Sequence, residues 1–451
     1  MTITLSKVIE AGSRPSRIRR LGIALRRRPV DRGVAVAVAV GFALRLGWVC
    51  WTTRSTAELY SDQAQYLSMA SQISQLVSPS IGGRVTALYP LGYPLLLSPV
   101  AFLARHTGWF SLVFGAALVN VAFGTFTVWS TSQLALRWFG SAARLPAASL
   151  MAVAPAQIYF TSVALTETVF TALLVGLVLF ASTRFLAADG RFAPPRMLIV
   201  AGVFVGFATL VRSPGALVLV ILVVSGRGHS ARPALARALG WVVLGALIPL
   251  APVALRNAVQ VGVWTPTSTN NAAFLCVGNR DGATGTFVTT DHAASRECFD
   301  GSVYTGGDES QWARTRVSTA VRYALHHPGH EVRLVGRKTV LTFRSDRDSL
   351  DPTRPLGVLS RTAEDRLDRL SQLWLVVTLT VAGVGLVAVR AIRRMPMLWL
   401  PPLLMLVAIW PGIALGRYHH PMMPFLVVIA AGVVARLAAA GRVIEPAEAQ
   451  A

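Results

Sequence analysis

Apolar runs separated by short arginine-bearing stretches set the pattern of this chain. Val34–Val49, Val169–Ala181, Ala216–Val224, Trp241–Leu255, Leu373–Val389, Met397–Leu415 and Phe425–Val434 recur along it, and several approach the roughly 20 residues a membrane-spanning helix needs. The pattern predicts an all-α polytopic membrane protein with about ten transmembrane helices, because in lipid each segment must satisfy its own backbone hydrogen bonds. At 451 residues, 53% apolar and 14% charged, the chain carries more apolar surface than water tolerates.

Two polar stretches interrupt the runs. In the first, residues 53–94, Ser61-Asp62-Gln63-Ala64 is followed by Tyr66, Leu67, Ala70 and Ile73 at helical spacing, which predicts an amphipathic helix lying on the membrane surface. Leu95–Leu103 is too short to span and predicts a second surface or half-inserted helix. An outward span is expected near Ala147–Phe160, with Thr166-Glu167-Thr168 opening the next, and Val211-Arg212-Ser213-Pro214-Gly215 marks a turn or helix break. The second polar stretch, residues 256–371, begins loop-like through Asn270-Asn271 and Gly278–Gly285 and turns helical from about Gln311 to Thr342. The resulting organisation is a basic N-terminal segment (1–32), a membrane domain (33–255), the long loop (256–371), C-terminal spans (372–438) and a tail (439–451).

Charge adds orientation. The net charge of +22 would suggest nucleic acid in a soluble protein, but here it follows topology and no nucleic-acid partner is expected. Arg14, Arg17, Arg19, Arg20 and Arg26–Arg28 precede the first span, and Arg137/Arg144, Arg184/Arg191/Arg196, Arg227/Arg232/Arg237, Arg390/Arg393/Arg394 and Arg436/Arg442 fall on the same side if spans alternate. The positive-inside rule therefore predicts cytoplasmic termini and places both polar stretches outside a cell membrane. The first apolar segment is long, contains Arg45 and lacks a small-residue cleavage site, so it is read as an anchor rather than a signal peptide. Cys276 and Cys298, in the outer loop, are a disulfide candidate in an oxidising compartment, with two unrelated thiols as the alternative.

Glu58, Asp62, Glu167, Arg212, Arg256, Arg417, His419 and His420 all fall at outer ends of spans or just beyond them. Charge at membrane depth is costly and tends to face a cavity or substrate route. Taken alone, an interfacial arginine is an ordinary snorkelling anchor, and Asp62 could be a solvated helix start or N-cap. Together they suit displacement at a sugar carbon: a partly desolvated carboxylate takes the acceptor proton, and forked guanidinium donors hold a leaving phosphate.

Ser61-Asp62-Gln63-Ala64-Gln65-Tyr66-Leu67 with Tyr89-Pro90-Leu91-Gly92-Tyr93-Pro94 resembles the first outer loop of the GT-C superfamily, in its protein O-mannosyltransferase and aminoarabinose-transferase-like branch. Leu165–Phe170, Ala208–Pro214, Arg256-Asn257 with Thr267–Asn271, Gly278–Gly285 and Arg417–Pro421 resemble the later blocks in order. The resemblance implies transfer of a mannose- or arabinose-type sugar from a polyprenyl-phosphate donor to a glycolipid, glycan or protein hydroxyl. It implies Asp62 as the catalytic base, and Glu58, Tyr66, Tyr89, Glu167, Arg212, Arg256, Asn270, Arg417 and His420 as substrate-binding residues. Arg256 and Arg417 are expected on the donor phosphate. No cofactor or metal is expected: Gln63 follows Asp62 where many relatives carry an acidic pair, and adjacent His419 and His420 do not share a helix face. A lipid or polysaccharide transporter is the rival reading; it would favour inverted repeats and mid-membrane charge, whereas these charges collect at one face.

Overall fold

The computed structural model describes residues 31–53, 61–187, 189–227, 232–287, 296–299, 307–344, 347–350 and 359–444. It is helical, with one two-stranded hairpin (β1, Ser80–Ile81; β2, Arg84–Val85). In chain order the helices are α1 (Arg32–Thr52), α2 (Ser61–Ser74), α3 (Gly92–Thr107), α4 (Leu112–Phe139), α5 (Ser141–Ala152), α6 (Pro155–Tyr159), α7 (Glu167–Thr183), α8 (Pro195–Val211) and α9 (Val218–Gly226). They continue as α10 (Arg232–Val261), α11 (Asn270–Gly278), α12 (Glu309–His326), α13 (Pro328–Thr342), α14 (Arg361–Ala388), α15 (Arg390–Arg393), α16 (Pro396–Ile409) and α17 (Met423–Ile444).

Among the described residues, five helical stretches are long and apolar enough to cross a membrane: Arg32–Thr52, Leu112–Phe139, Arg232–Val261, Arg361–Ala388 and Gly416–Ala439. Four shorter apolar helices, Glu167–Thr183, Pro195–Val211, Ser213–Gly226 and Pro396–Ile409, lie among them. Proline accounts for much of the shortening. The stretch expected as a span near Ala147–Phe160 is broken instead into α5, α6 and a 3₁₀ turn (Phe160–Ser162), with Pro155 opening α6. The helical part of the long polar segment is likewise divided, because Pro328 starts a new helix directly after His327.

A core of α4, α5, α7 and α17, with Phe160, Phe170, Phe185 and Phe425 buried at its centre, forms the middle of the molecule. Against it, α8 and α10 cross at very short range. A Cβ on Gly202 would stand 2.1 Å from the Val242 carbonyl oxygen, and one on Gly245 would stand 2.1 Å from that of Ile199. Only glycine permits this approach, the small-residue contact by which membrane helices associate without a hydrophobic driving force. Helix α2 buries Gln63, Tyr66, Leu67, Met69 and Ala70, the face its spacing predicts. The α2 helix packs on α3, the half-length helix expected after the first loop.

Candidate active site

Asp62 lies in the first turn of α2. Its neighbour Gln63, buried at 2% exposure, accepts a hydrogen bond from the Ala164 amide (2.9 Å), so α2 is tied to the turn that leads into α7. Glu167 is the first residue of α7, where the helix dipole favours a carboxylate. Arg212 sits where α8 ends in extended backbone before the 3₁₀ turn Ser213–Leu217, at the break its Pro-Gly context predicts. Arg417 is carried by a second 3₁₀ segment, Gly416–Met422, that leads into α17.

These four charges form one connected cluster. Arg417 Nη2 donates to Asp62 Oδ2 at 3.2 Å, and its Nε lies 3.4 Å from Glu167 Oε1. Arg212 Nη1 donates to the same Glu167 oxygen at 2.6 Å and to Thr166 Oγ1 at 3.3 Å, while its guanidinium lies over the Tyr418 ring at 4.9 Å. Tyr89 Oη donates to Asp62 Oδ1 at 3.2 Å. The two carboxylates differ in access: the Glu167 side chain is 3% exposed, that of Asp62 27%. Glu167 therefore neutralises two arginines inside the protein, whereas Asp62 keeps lone pairs open to an incoming group.

Tyr66 stands behind Asp62, with ring centroids 5.5 Å from Tyr89 and 5.7 Å from Tyr93. Burial first, then the negative charges of Asp62 and Glu167, push its phenol well above the ordinary tyrosine range. It is a neutral hydroxyl and not a rival base. Tyr93 Oη donates to Asn120 Oδ1 (3.2 Å), whose amide in turn donates to the Val163 carbonyl (2.9 Å), so the aromatic wall is fastened to the turn preceding Glu167.

Of the residues expected at the site, Asp62, Tyr66, Tyr89, Glu167, Arg212 and Arg417 are brought together, and three others are placed elsewhere. Arg256, expected on the donor phosphate, instead donates to the carbonyls of Thr86 (2.7 Å) and Pro79 (2.7 Å), to Asn257 Oδ1 (2.8 Å) and to Ser78 Oγ (3.2 Å). That network holds the first loop in shape and leaves no fork for a ligand. Asn270 meets the loop through its backbone, the N–H donating to the Leu88 carbonyl at 3.3 Å. His420 is fully buried edge-on to Phe160, with centroids 4.7 Å apart, and neither ring nitrogen has a hydrogen-bond partner among the described residues. Glu58 lies outside the described residues.

Sequence patterning passes over two further buried charges, Glu309 and Lys338. Glu309 reads in sequence as an ordinary acid in the first turn of a helix. Lys338 carries one signal: it is one of only two lysines, with Lys7, in an arginine-rich chain. Cys276 and Cys298 are joined by a disulfide. Among the described residues no group of three or more His, Cys, Asp or Glu side chains is placed to hold a metal ion.

No protein-family model and no curated protein matches the sequence. Solved structures do match. The Archaeoglobus fulgidus oligosaccharyltransferase in complex with Zn and sulfate superposes over 91% of this chain and 51% of its own, at 16% identity and a TM-score of 0.52. The archaeal oligosaccharyltransferase AglB from Archaeoglobus fulgidus, in complex with an inhibitory peptide and a dolichol-phosphate, covers 89% of this chain and 50% of its own, at 14% identity and a TM-score of 0.50. ArnT from Cupriavidus metallidurans bound to undecaprenyl phosphate covers 92% and 80% at 13% identity, with a TM-score of 0.42. The chain has the fold of the GT-C membrane glycosyltransferases. At these identities the likeness is one of fold, and the chain spans about half the length of the oligosaccharyltransferases it matches.

Proposed function

We propose that this protein is a GT-C-type glycosyltransferase that moves a mannose- or arabinose-type sugar from a polyprenyl-phosphate donor to a hydroxyl of a glycolipid, glycan or protein, on the outer face of a cell membrane. The observation that carries the reading is Asp62, accessible and held between Tyr89 and Arg417, with Arg212 linked to it through Glu167. The AglB structure, which shares the fold, contains a dolichol-phosphate.

In the proposed step the acceptor O–H gives its proton to Asp62 as its oxygen attacks the anomeric carbon. The bond from that carbon to the phosphate oxygen breaks, and the polyprenyl phosphate leaves with the electron pair. Attack and departure on opposite faces of the carbon invert the configuration. Arg417 and Arg212 are the forked donors within reach of the departing charge, while Glu167 keeps them from repelling one another in the unliganded site.

Transfer of radiolabelled sugar from a polyprenyl-phosphate donor by the purified protein in lipid tests the reading, and absence of transfer from both mannosyl and arabinosyl donors contradicts it. Orientation has its own check. Cysteine at Gln75 should react with a membrane-impermeant reagent in intact cells, whereas cysteine at Ala142 should not.

A further inference from the structure

The long polar segment reaches the site through two buried charges, one on each of its helices. Glu309, 7% exposed at the start of α12, accepts from Thr86 Oγ1 (2.8 Å), the Ala87 amide (3.1 Å) and Thr269 Oγ1 (2.6 Å). The loop it grips is paired further along, with the Thr269 amide donating to the Ala87 carbonyl (3.0 Å), and the next residues are Leu88 and Tyr89, whose hydroxyl holds Asp62. Lys338, fully buried on α13, donates from Nζ to the carbonyls of Gly278 (3.2 Å) and Trp410 (2.8 Å). Burial lowers its pKa from the usual lysine value.

Three further contacts fasten α13 and α11 to the stretch that delivers Arg417. Trp410 Nε1 donates to Thr339 Oγ1 (3.0 Å), His419 Nδ1 pairs with the Thr342 carbonyl (2.9 Å), and Asn279 Nδ2 donates to the Pro411 carbonyl (2.5 Å). A Cβ on Gly278 would stand 2.1 Å from the Gly412 carbonyl oxygen. The disulfide completes the seat, because Cys276 and Cys298 pack with Ile413 and Leu415, two residues short of Arg417.

We propose that Glu309 and Lys338 are the positioning residues of the Asp62 site, Glu309 setting Tyr89 and Lys338 setting Arg417. Neither hydrogen-bonds to Asp62, yet each fixes the segment carrying one of its two partners. The long segment thereby acts as an outer frame for a site built on the membrane helices. A displacement of about 1 Å at a reacting group can cost about 100-fold in rate, so a remote charge has room to act this way. The role of the frame in transfer rests on Asp62 being the base, while its mechanical part does not.

The test uses the full chain in lipid nanodiscs, with Glu309→Gln and Lys338→Met, each alone and combined with Asp62→Asn. Donor affinity for a polyprenyl-phosphate sugar, single-turnover transfer and backbone hydrogen exchange are read together. Glu309→Gln should slow transfer by about 10- to 100-fold with unchanged donor affinity, and speed exchange at Thr86–Tyr89. Lys338→Met should weaken donor affinity by about tenfold and speed exchange at Gly412–Tyr418. In the Asp62→Asn background Glu309→Gln should slow transfer no further, since groups acting as a unit are non-additive. Unchanged exchange at both segments overturns the frame, and a full additional loss in the double variant overturns its action through Asp62. Normal transfer by Asp62→Asn alone would remove the base assignment and leave the exchange result to judge the frame. If Lys338→Met fails to fold, Thr339→Val removes the Trp410 Nε1 bond, together with the bond from Thr339 Oγ1 to the Val335 carbonyl within its own helix, and is read the same way.

Discussion

The first loop is gripped on two sides by charge, and the two sides are built differently. On one side Arg256 and Glu309 are satisfied by backbone carbonyls, amides, hydroxyls and one side-chain amide, so that all three guanidinium nitrogens and both carboxylate oxygens are engaged inside the protein. On the other side Asp62, Glu167, Arg212 and Arg417 pair with one another, with Tyr89 and Thr166 adding hydroxyl contacts, and Asp62 remains reachable. Backbone partners cannot be exchanged without unfolding the loop, whereas a carboxylate on an arginine can give way to a phosphate of like charge. The first arrangement builds a structure and the second builds a site.

The largest effect expected from breaking this contrast is on Glu167, whose removal leaves two arginines uncompensated. Glu167→Gln should destabilise the protein by about 3–5 kcal/mol, read as a drop in melting temperature in detergent. Next is the seat of Arg417: replacing Cys276 and Cys298 together by Ser should cost about 3 kcal/mol by the chain-entropy estimate, measured the same way against reduced and oxidised protein. Arg417→Lys keeps the charge but loses the fork, and should weaken donor binding about tenfold, the equivalent of one charge-assisted hydrogen bond. The smallest effect on binding belongs to Arg256→Lys, which should leave donor affinity unchanged while lowering stability. Equal losses of donor affinity in the two lysine variants would erase the distinction between the clusters.

Much of this arrangement is legible in the sequence, for local reasons. The helical spacing of Tyr66, Leu67 and Ala70 places them on the buried face of α2, and the Pro-Gly break after Arg212 ends α8 where expected. Glu167, Arg212 and Arg417 stand out as charges at apolar boundaries, and they do converge on Asp62. Arg256 has the same local signature, and its different fate depends on loop carbonyls about 170 residues away in sequence. Spacing rules cannot see that distance. Glu309 is masked by the preference of any helix start for an acid. The short helices of the membrane domain were obscured because apolar content continues through Pro155, so that composition suggests a span where backbone chemistry breaks one.

The claim that Asp62 accepts the acceptor proton is tested most directly by Asp62→Asn, which keeps the size of the side chain and removes its basicity. Transfer rate, donor affinity and size-exclusion profile should be measured on one preparation, with Glu167→Gln alongside. A positioned general base contributes about 100- to 10,000-fold, so Asp62→Asn should lose at least the lower figure while binding donor normally and eluting as folded protein. A folded Asp62→Asn variant that transfers sugar at near-normal rate, while folded Glu167→Gln is inactive, would contradict the assignment and move the base to Glu167.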